Sequence, residues 1–332
     1  MPVSSQPPAY LDKFTNAWVF SRYTDVAAGM REPGLIPAGA ASGSLKASNG
    51  QEHLNMREET SRELTPQHLA SWQRILEARA SDLVANLAAD STVDLLEDYG
   101  RPFCLTAAVI VSGADPEDVD RLTALARMAS ASAADPNDAA AKIRGKRASA
   151  ELRRSFPPGP SSLRGAGFVA ISQTLLSLLA NMWAALALHP EQFATLHTTG
   201  VHTPAVDELL RYAGVPLTLH RIAQHDMHFC DADIRAGQRV ILKLSAAHRD
   251  AEVYPDPERL DLDRRGPLPL CLGTGSHSCV GAGLIRMLTT VATTAVTARF
   301  DSIQLTEPLQ WEGGEGFRTP TNLKAKLSLE TR

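Results

Sequence analysis

Residues 272–286 read Leu272-Gly-Thr-Gly-Ser-His-Ser-Cys279-Val-Gly-Ala-Gly-Leu-Ile-Arg286. Glycines at 273, 275, 281 and 283 let the backbone come close to a large flat ligand. Cys279 sits where this loop turns into a helix, and helix N-termini favour anions, so a thiolate there is stabilised. An inert cysteine in a glycine-rich loop satisfies the same residues when the segment is taken alone. A dinucleotide fingerprint fits less well, because Ser278 stands where its third glycine belongs and no βαβ unit surrounds it.

Outward from this segment, the 332 residues are 44% hydrophobic and 21% charged, the balance of a folded globular chain. Lys and Arg total 33 against 37 Asp and Glu, which gives no electrostatic case for nucleic acid as a main partner. The start, MPVSSQPPAYLDKFTNAWVF, lacks the charged, apolar and small-residue order of a secretory signal. Leu175–Leu188, the best membrane candidate, is broken by Ser177 and Asn181 and falls short of the roughly 20 apolar residues of a span. A cytoplasmic protein without a membrane segment is therefore expected. Cys104, Cys230, Cys271 and Cys279 show no CxxC pairing, which argues against a disulfide scaffold and a structural zinc site.

Along the chain, NAWVFSRYTDV (16–26) predicts a strand leading into a short helix, and Gly34–Gly50 a loop. Thr65-Pro66, Asp115-Pro116 and Thr203-Pro204 are helix starts, each a capping residue before a proline. After the first of them Leu69, Trp72, Ile75, Leu76, Leu83, Val84 and Leu87 form one inward face. Residues 129–167, with RGKRASAELRR and FPPGPSS, predict one polar helix and a loop. Phe168–Leu188 is apolar nearly all round and predicts a helix through the protein centre. Short strands are expected over 217–244, and a final helix over about 280–300 with Leu284, Ile285, Leu288, Val291, Ala295 and Val296 inside.

The cysteine segment resembles the FGxGxHxCxGxxLAR loop of cytochromes P450, with Leu272 in place of the aromatic and Ile285 in place of the alanine. Glu208-Leu-Leu-Arg211 is similar to the family's ExxR, and Arg259 in DPERLDLDR to the arginine completing its charge network. LHRIA, HRDAEVYPDPERL and the cysteine loop follow in the family's order. Upstream, EHLNMR is similar to the HxxxR of the family's C helix. The resemblance implies a mainly α fold with small β-sheets, a single haem domain over 1–332, and two segments of similarity. The first, 16–128, includes the C-helix region; the second, 165–332, holds the I helix, K helix, cysteine loop and L helix.

The same resemblance implies haem b with Cys279 as its iron ligand. Leu272, Gly273 and Gly281 would border it, and His53, Arg57, Arg221 and His277 would hold the propionates. An axial thiolate pushes electron density onto iron and assists O–O cleavage. The implied activity is monooxygenation of a small organic substrate in specialised metabolism, with electrons from a ferredoxin and its reductase. Two departures stand out. In the small-Gly-x-acid-Thr stretch of the family's I helix, aligned here with Ala170–Thr174, the glycine is Ile171 and the acid Gln173, while Thr174 is kept. An amide cannot relay protons by titration. Compared with the family, the region before NAWVF is short, and so is the span from Asp115 to Ser172, where the family's F, G and H helices roof the pocket. The resemblance then implies either a small or open pocket, or a partner protein or second copy that completes the reduced distal face. Ile171 and Gln173 motivate an alternative haem chemistry without oxygen insertion, such as isomerisation, dehydration, cyclisation or peroxide use. A non-catalytic P450-like auxiliary protein is a further alternative, against which the retained Cys279 argues.

Overall fold

The computed structural model describes residues 9–38, 45, 50–134, 138–157 and 163–329. Much of the expected loop at 34–50, and residues 158–162 of the FPPGPSS stretch, lie outside the described residues. The protein is 55% helical with small sheets, as expected. Its residues fall into two compact units. The first comprises Met1–Asn55, Pro216–Arg259 and Arg265–Cys279, and the second Met56–Val215, Leu260–Arg264 and Val280–Arg332.

The first unit is built on a five-stranded sheet. Its order is Ala9–Asp12, Ala17–Phe20, Arg239–Lys243, Thr218–Ala223 and Leu35–Pro37. Ala17–Phe20 runs parallel to Arg239–Lys243, and the remaining pairs are antiparallel. The short helix expected after NAWVF is Tyr23–Arg31, which buries Val26 and Met30 with Phe20, Val240 and Leu242. A hairpin, Met227–Phe229 with Ala232–Ile234, adds Phe229, whose ring meets Phe20 edge-on at 5.2 Å.

In the second unit the helix Gly165–Leu188 forms the core. Every residue from Leu176 to Leu186 is buried, so its length and apolarity, enough for a membrane span, serve the interior of the protein. The helix Pro66–Ala85 is capped as expected, Thr65 Oγ1 accepting from His68 N at 3.2 Å. Its inner face holds Leu76, Leu83 and Val84, but Ile75 is 50% exposed, one step off the buried stripe. Asp115 caps a 3₁₀ turn, Pro116–Asp118, that runs into Val119–Ala134. Thr203 is not the cap of its helix: the ring of His202 accepts from Ala205 N, and Thr203 is the first residue of Thr203–Ala213. The polar stretch holds Ala139–Arg154 as expected, preceded by the end of Val119–Ala134. The final helix, Ala282–Arg299, packs along Pro66–Ala85 and is tied to the unit's core by Tyr99 Oη donating to Ala292 O at 2.8 Å.

Candidate functional site

In the first unit the cysteine loop is folded back on itself. A 3₁₀ turn over Leu270–Leu272 ends at Gly273, whose φ of 73° is left-handed, and Gly273 N donates to Leu270 O at 2.8 Å. A Cβ at Gly273 would stand 3.1 Å from Ser278 Cα and 3.2 Å from His277 O, so the close approach of the loop's two limbs requires glycine. Cys279 N closes the loop by donating to Leu272 O at 2.7 Å. Leu272 is buried, whereas Cys279 is half-buried. Gly275 has a φ of 76°, with Arg31 beside it and Arg31 Nη1 donating to Thr274 Oγ1 at 3.3 Å.

His53 and His277 are brought together, their ring centroids 4.3 Å apart. The His53 ring is buried, with Nδ1 3.0 Å from Leu45 O and Nε2 3.0 Å from Ser276 O. A neutral imidazole can donate to only one of these carbonyls. His53 therefore secures the cysteine loop from the helix Gly50–Glu63, a structural tie that the HxxxR pattern alone does not reveal. Arg57, one turn further along that helix, is half-buried.

Arg221 occupies the middle of the strand Thr218–Ala223, paired with Val240 on one side and Pro37 on the other. It is 7% exposed, and among the described residues its side chain has one hydrogen bond, Nη1 to His220 O at 3.2 Å, and no carboxylate. Burial pushes its proton affinity below the ordinary arginine value. A buried guanidinium without a counter-ion is costly, and an anionic ligand group would relieve it. That cation, with the glycine loop beside a half-buried thiol, fits a haem, whose carboxylates need cations and whose iron needs a thiolate.

The second unit holds the other expected residues. Ile171, Gln173 and Thr174 lie in a π-helical turn, Ala170–Leu175, within the long core helix. Such turns are frequent at functional sites. Ile171 and Ser172 are buried, Gln173 and Thr174 half-buried, and Gln173 Nε2 donates to Ser172 Oγ at 3.3 Å. Gly281 is the N-cap of Ala282–Arg299, its carbonyl accepting from Ile285 N at 2.8 Å.

Also in this unit, Glu208 and Arg211 form a buried fork. Arg211 Nε donates to Oε2 at 2.6 Å and Nη2 to Oε1 at 2.8 Å, with both side chains 2% exposed. Asp261 N and Arg264 Nε complete the carboxylate at 3.0 and 3.1 Å. Arg259, expected as the network's further arginine, is exposed, and a second cation on Glu208 is the half-buried Arg264. Both belong to one turn-rich run, DPERLDLDRR, in which spacing alone does not separate them. Sequence reasoning also missed Asp207, which Arg286 grips at 2.8 Å, and Ser172.

The glycine loop, the half-buried Cys279 and the buried Arg221 are the arrangement that a haem-thiolate protein requires. A family model described as cytochrome P450 matches residues 202–325. Cytochrome P450-SOY of Streptomyces griseus is 35% identical over 166 residues, which span 47% of this chain and 40% of that relative. Nocardicin C N-oxygenase of Nocardia uniformis subsp. tsuyamanensis is 28% identical with 97% of this chain and 93% of that protein covered. Among solved structures, P450BioI in complex with a fatty-acid-ligated acyl carrier protein has a TM-score of 0.86 at 21% identity, covering 97% of this chain and 95% of that one. The LnmA hydroxylase of Streptomyces atroolivaceus S-140 has a TM-score of 0.78 at 26% identity, covering 93% and 90%. In sequence and in fold the chain is similar to cytochromes P450, and at 332 residues it is shorter than those homologues.

Proposed function

We propose that this protein is a single-domain haem-thiolate monooxygenase that oxidises a small organic molecule in a biosynthetic route, with haem b held through Cys279. The observation that carries the reading is the buried Arg221, a cation with no carboxylate among the described residues, in the same unit as a glycine-cradled, half-buried cysteine. Arg221, His277 and Arg57 are assigned to the propionates. His53 is assigned to the loop as well as to that set, because both its ring nitrogens face carbonyl oxygens. Leu272, Gly273 and Gly281 are assigned to the border of the macrocycle. When bound, the haem supplies oxygen activation.

The chain's own residues set how that chemistry is served. Thr174 and Ser172 supply hydroxyls on the π turn, and Gln173 orients hydrogen bonds without exchanging a proton with solvent. Ile171 fills space with a branched side chain. Electrons are assigned to a ferredoxin and its reductase. Relatives named as an N-oxygenase and a hydroxylase support oxygenation over isomerisation, dehydration or an auxiliary role. The test is a reduced carbon monoxide spectrum of the purified protein, followed by ferredoxin-driven turnover of candidate substrates. A strongly red-shifted thiolate band with oxygenated product is expected, and a protein that takes up no haem would overturn the proposal.

A further inference from the structure

The helix Ala139–Arg154 lies outside the residues matched by the family model, and its charge is unlike that of the rest of the chain. Six cations and one anion give it a net charge of +5, in a protein whose total is −4. Its buried stripe, Ala141, Gly145, Ala148 and Leu152, fixes which side faces outward. A Cβ on Gly145 would come 2.7 Å from Ser132, so the helix Val119–Ala134 lies close against that stripe. Outside it, Lys142, Lys146 and Arg153 recur at i, i+4 and i+11, and Ile143, Arg147 and Arg154 repeat those spacings one residue on. Each ridge runs about 16 Å along the helix, at 1.5 Å per residue.

Elsewhere two helical arginines are paired within one turn. Arg62 is within 2.7 Å of both Glu58 and Glu59, and Arg101 grips Glu97 at 2.6 Å, one turn away. On Ala139–Arg154 the nearest pairs, Arg144 with Asp138 and Arg121 with Glu151, are 4.0 Å apart. Among the described residues Lys142, Lys146, Arg147, Arg153 and Arg154 have no ion pair. Like charges on adjacent turns repel, and an acidic surface laid along the ridges would relieve this. A bilayer is the poorer match, because membrane-surface helices turn an apolar face outward and Ile143, 56% exposed, is the one large apolar side chain here. Nucleic acid fits poorly too, since the face has no aromatic ring on which a base could stack.

We propose that the outward face of Ala139–Arg154 docks an acidic protein, with the cations of the two ridges meeting a row of carboxylates and Ile143, at the start of the second ridge, meeting a small apolar patch. Binding is to be measured for the haem-loaded protein by calorimetry at low and high salt. The probes are a purified acyl carrier protein, a [2Fe–2S] ferredoxin, phosphatidylglycerol vesicles and a DNA duplex. The expected result is salt-sensitive binding of at least one of the two acidic proteins that weakens about tenfold or more in a Lys142→Glu, Lys146→Glu, Arg153→Glu variant. A control with reversals at the exposed Lys13, Arg235 and Lys326 should bind within about twofold of the parent. Should the triple variant fold poorly by circular dichroism, the milder Arg147→Gln, Arg154→Gln variant carries the same expectation. Undiminished protein binding in these variants, binding of vesicles or duplex alone, or no binding of either acidic protein overturns the proposal.

Discussion

Arg221 carries its charge into the interior with the His220 carbonyl as its hydrogen-bond partner, and an arginine stays charged at any working pH. Replacing an unpaired buried ion by an apolar side chain of similar volume relieves its desolvation cost and strands no partner ion. Arg221→Met should therefore raise the unfolding midpoint of haem-free protein while speeding haem loss from loaded protein. Calorimetry and transfer of haem to apomyoglobin read the two effects separately. If both forms lose stability alike, Arg221 is structural. Among the thiols, burial pushes Cys104 far above the ordinary cysteine range and Cys230 up to about 11, so both are protonated at neutral pH and make poor ligands. Cys279→Ser alone should abolish the thiolate carbon monoxide band, whereas Ser variants of Cys104, Cys230 and Cys271 keep it. Loss of the band in Cys271→Ser would misplace the ligand. Cys279 was legible because its signal is local, a cysteine among glycines; Arg264 was not, because its role depends on a carboxylate 56 residues away.

At the scale of elements, the helix Thr203–Ala213 matters for the acid it holds. Glu208 accepts from Arg211, Arg264 and Asp261 N, so its removal strands the buried guanidinium of Arg211 and the half-buried one of Arg264. Breaking a buried pair costs about 3–5 kcal/mol, against about 0–1 for an exposed one. Denaturant unfolding of Glu208→Ala should show the larger loss and that of Arg62→Ala the smaller; similar values would place the Glu208 network in solvent. Helices with a face to bury were readable, as in Ala282–Arg299, where Leu284, Leu288, Val291 and Val296 are inside. Their ends depended on side-chain geometry, which is how His202 came to cap a helix that Thr203 was expected to start. The π turn at Ala170–Leu175 was not readable, since AISQTL suits an α-helix equally well and one shifted hydrogen-bond register leaves no trace in composition.

For the whole molecule, the proposed monooxygenation turns on how closely reductant use is tied to oxygenated product. The resemblance implies a glycine where Ile171 places four side-chain carbons, and a titrating acid where Gln173 stands. Proton supply would then rest on Thr174, Ser172 and ordered water. The hypothesis is that the native protein binds small diatomic ligands weakly and couples reductant to product poorly. An Ile171→Gly, Gln173→Glu variant should bind carbon monoxide more tightly and consume reductant faster with a surrogate donor. Trimming a buried isoleucine to alanine costs about 2–5 kcal/mol, and glycine in a helix interior about 1 more. Rates must therefore be normalised to haem-loaded, folded protein, and Gln173→Glu assayed alone, because it changes proton supply without opening a cavity. An unmodified protein that turns its substrate over with nearly one product per two electrons, unimproved by either variant, would show that Ile171 and Gln173 do not limit oxygen chemistry.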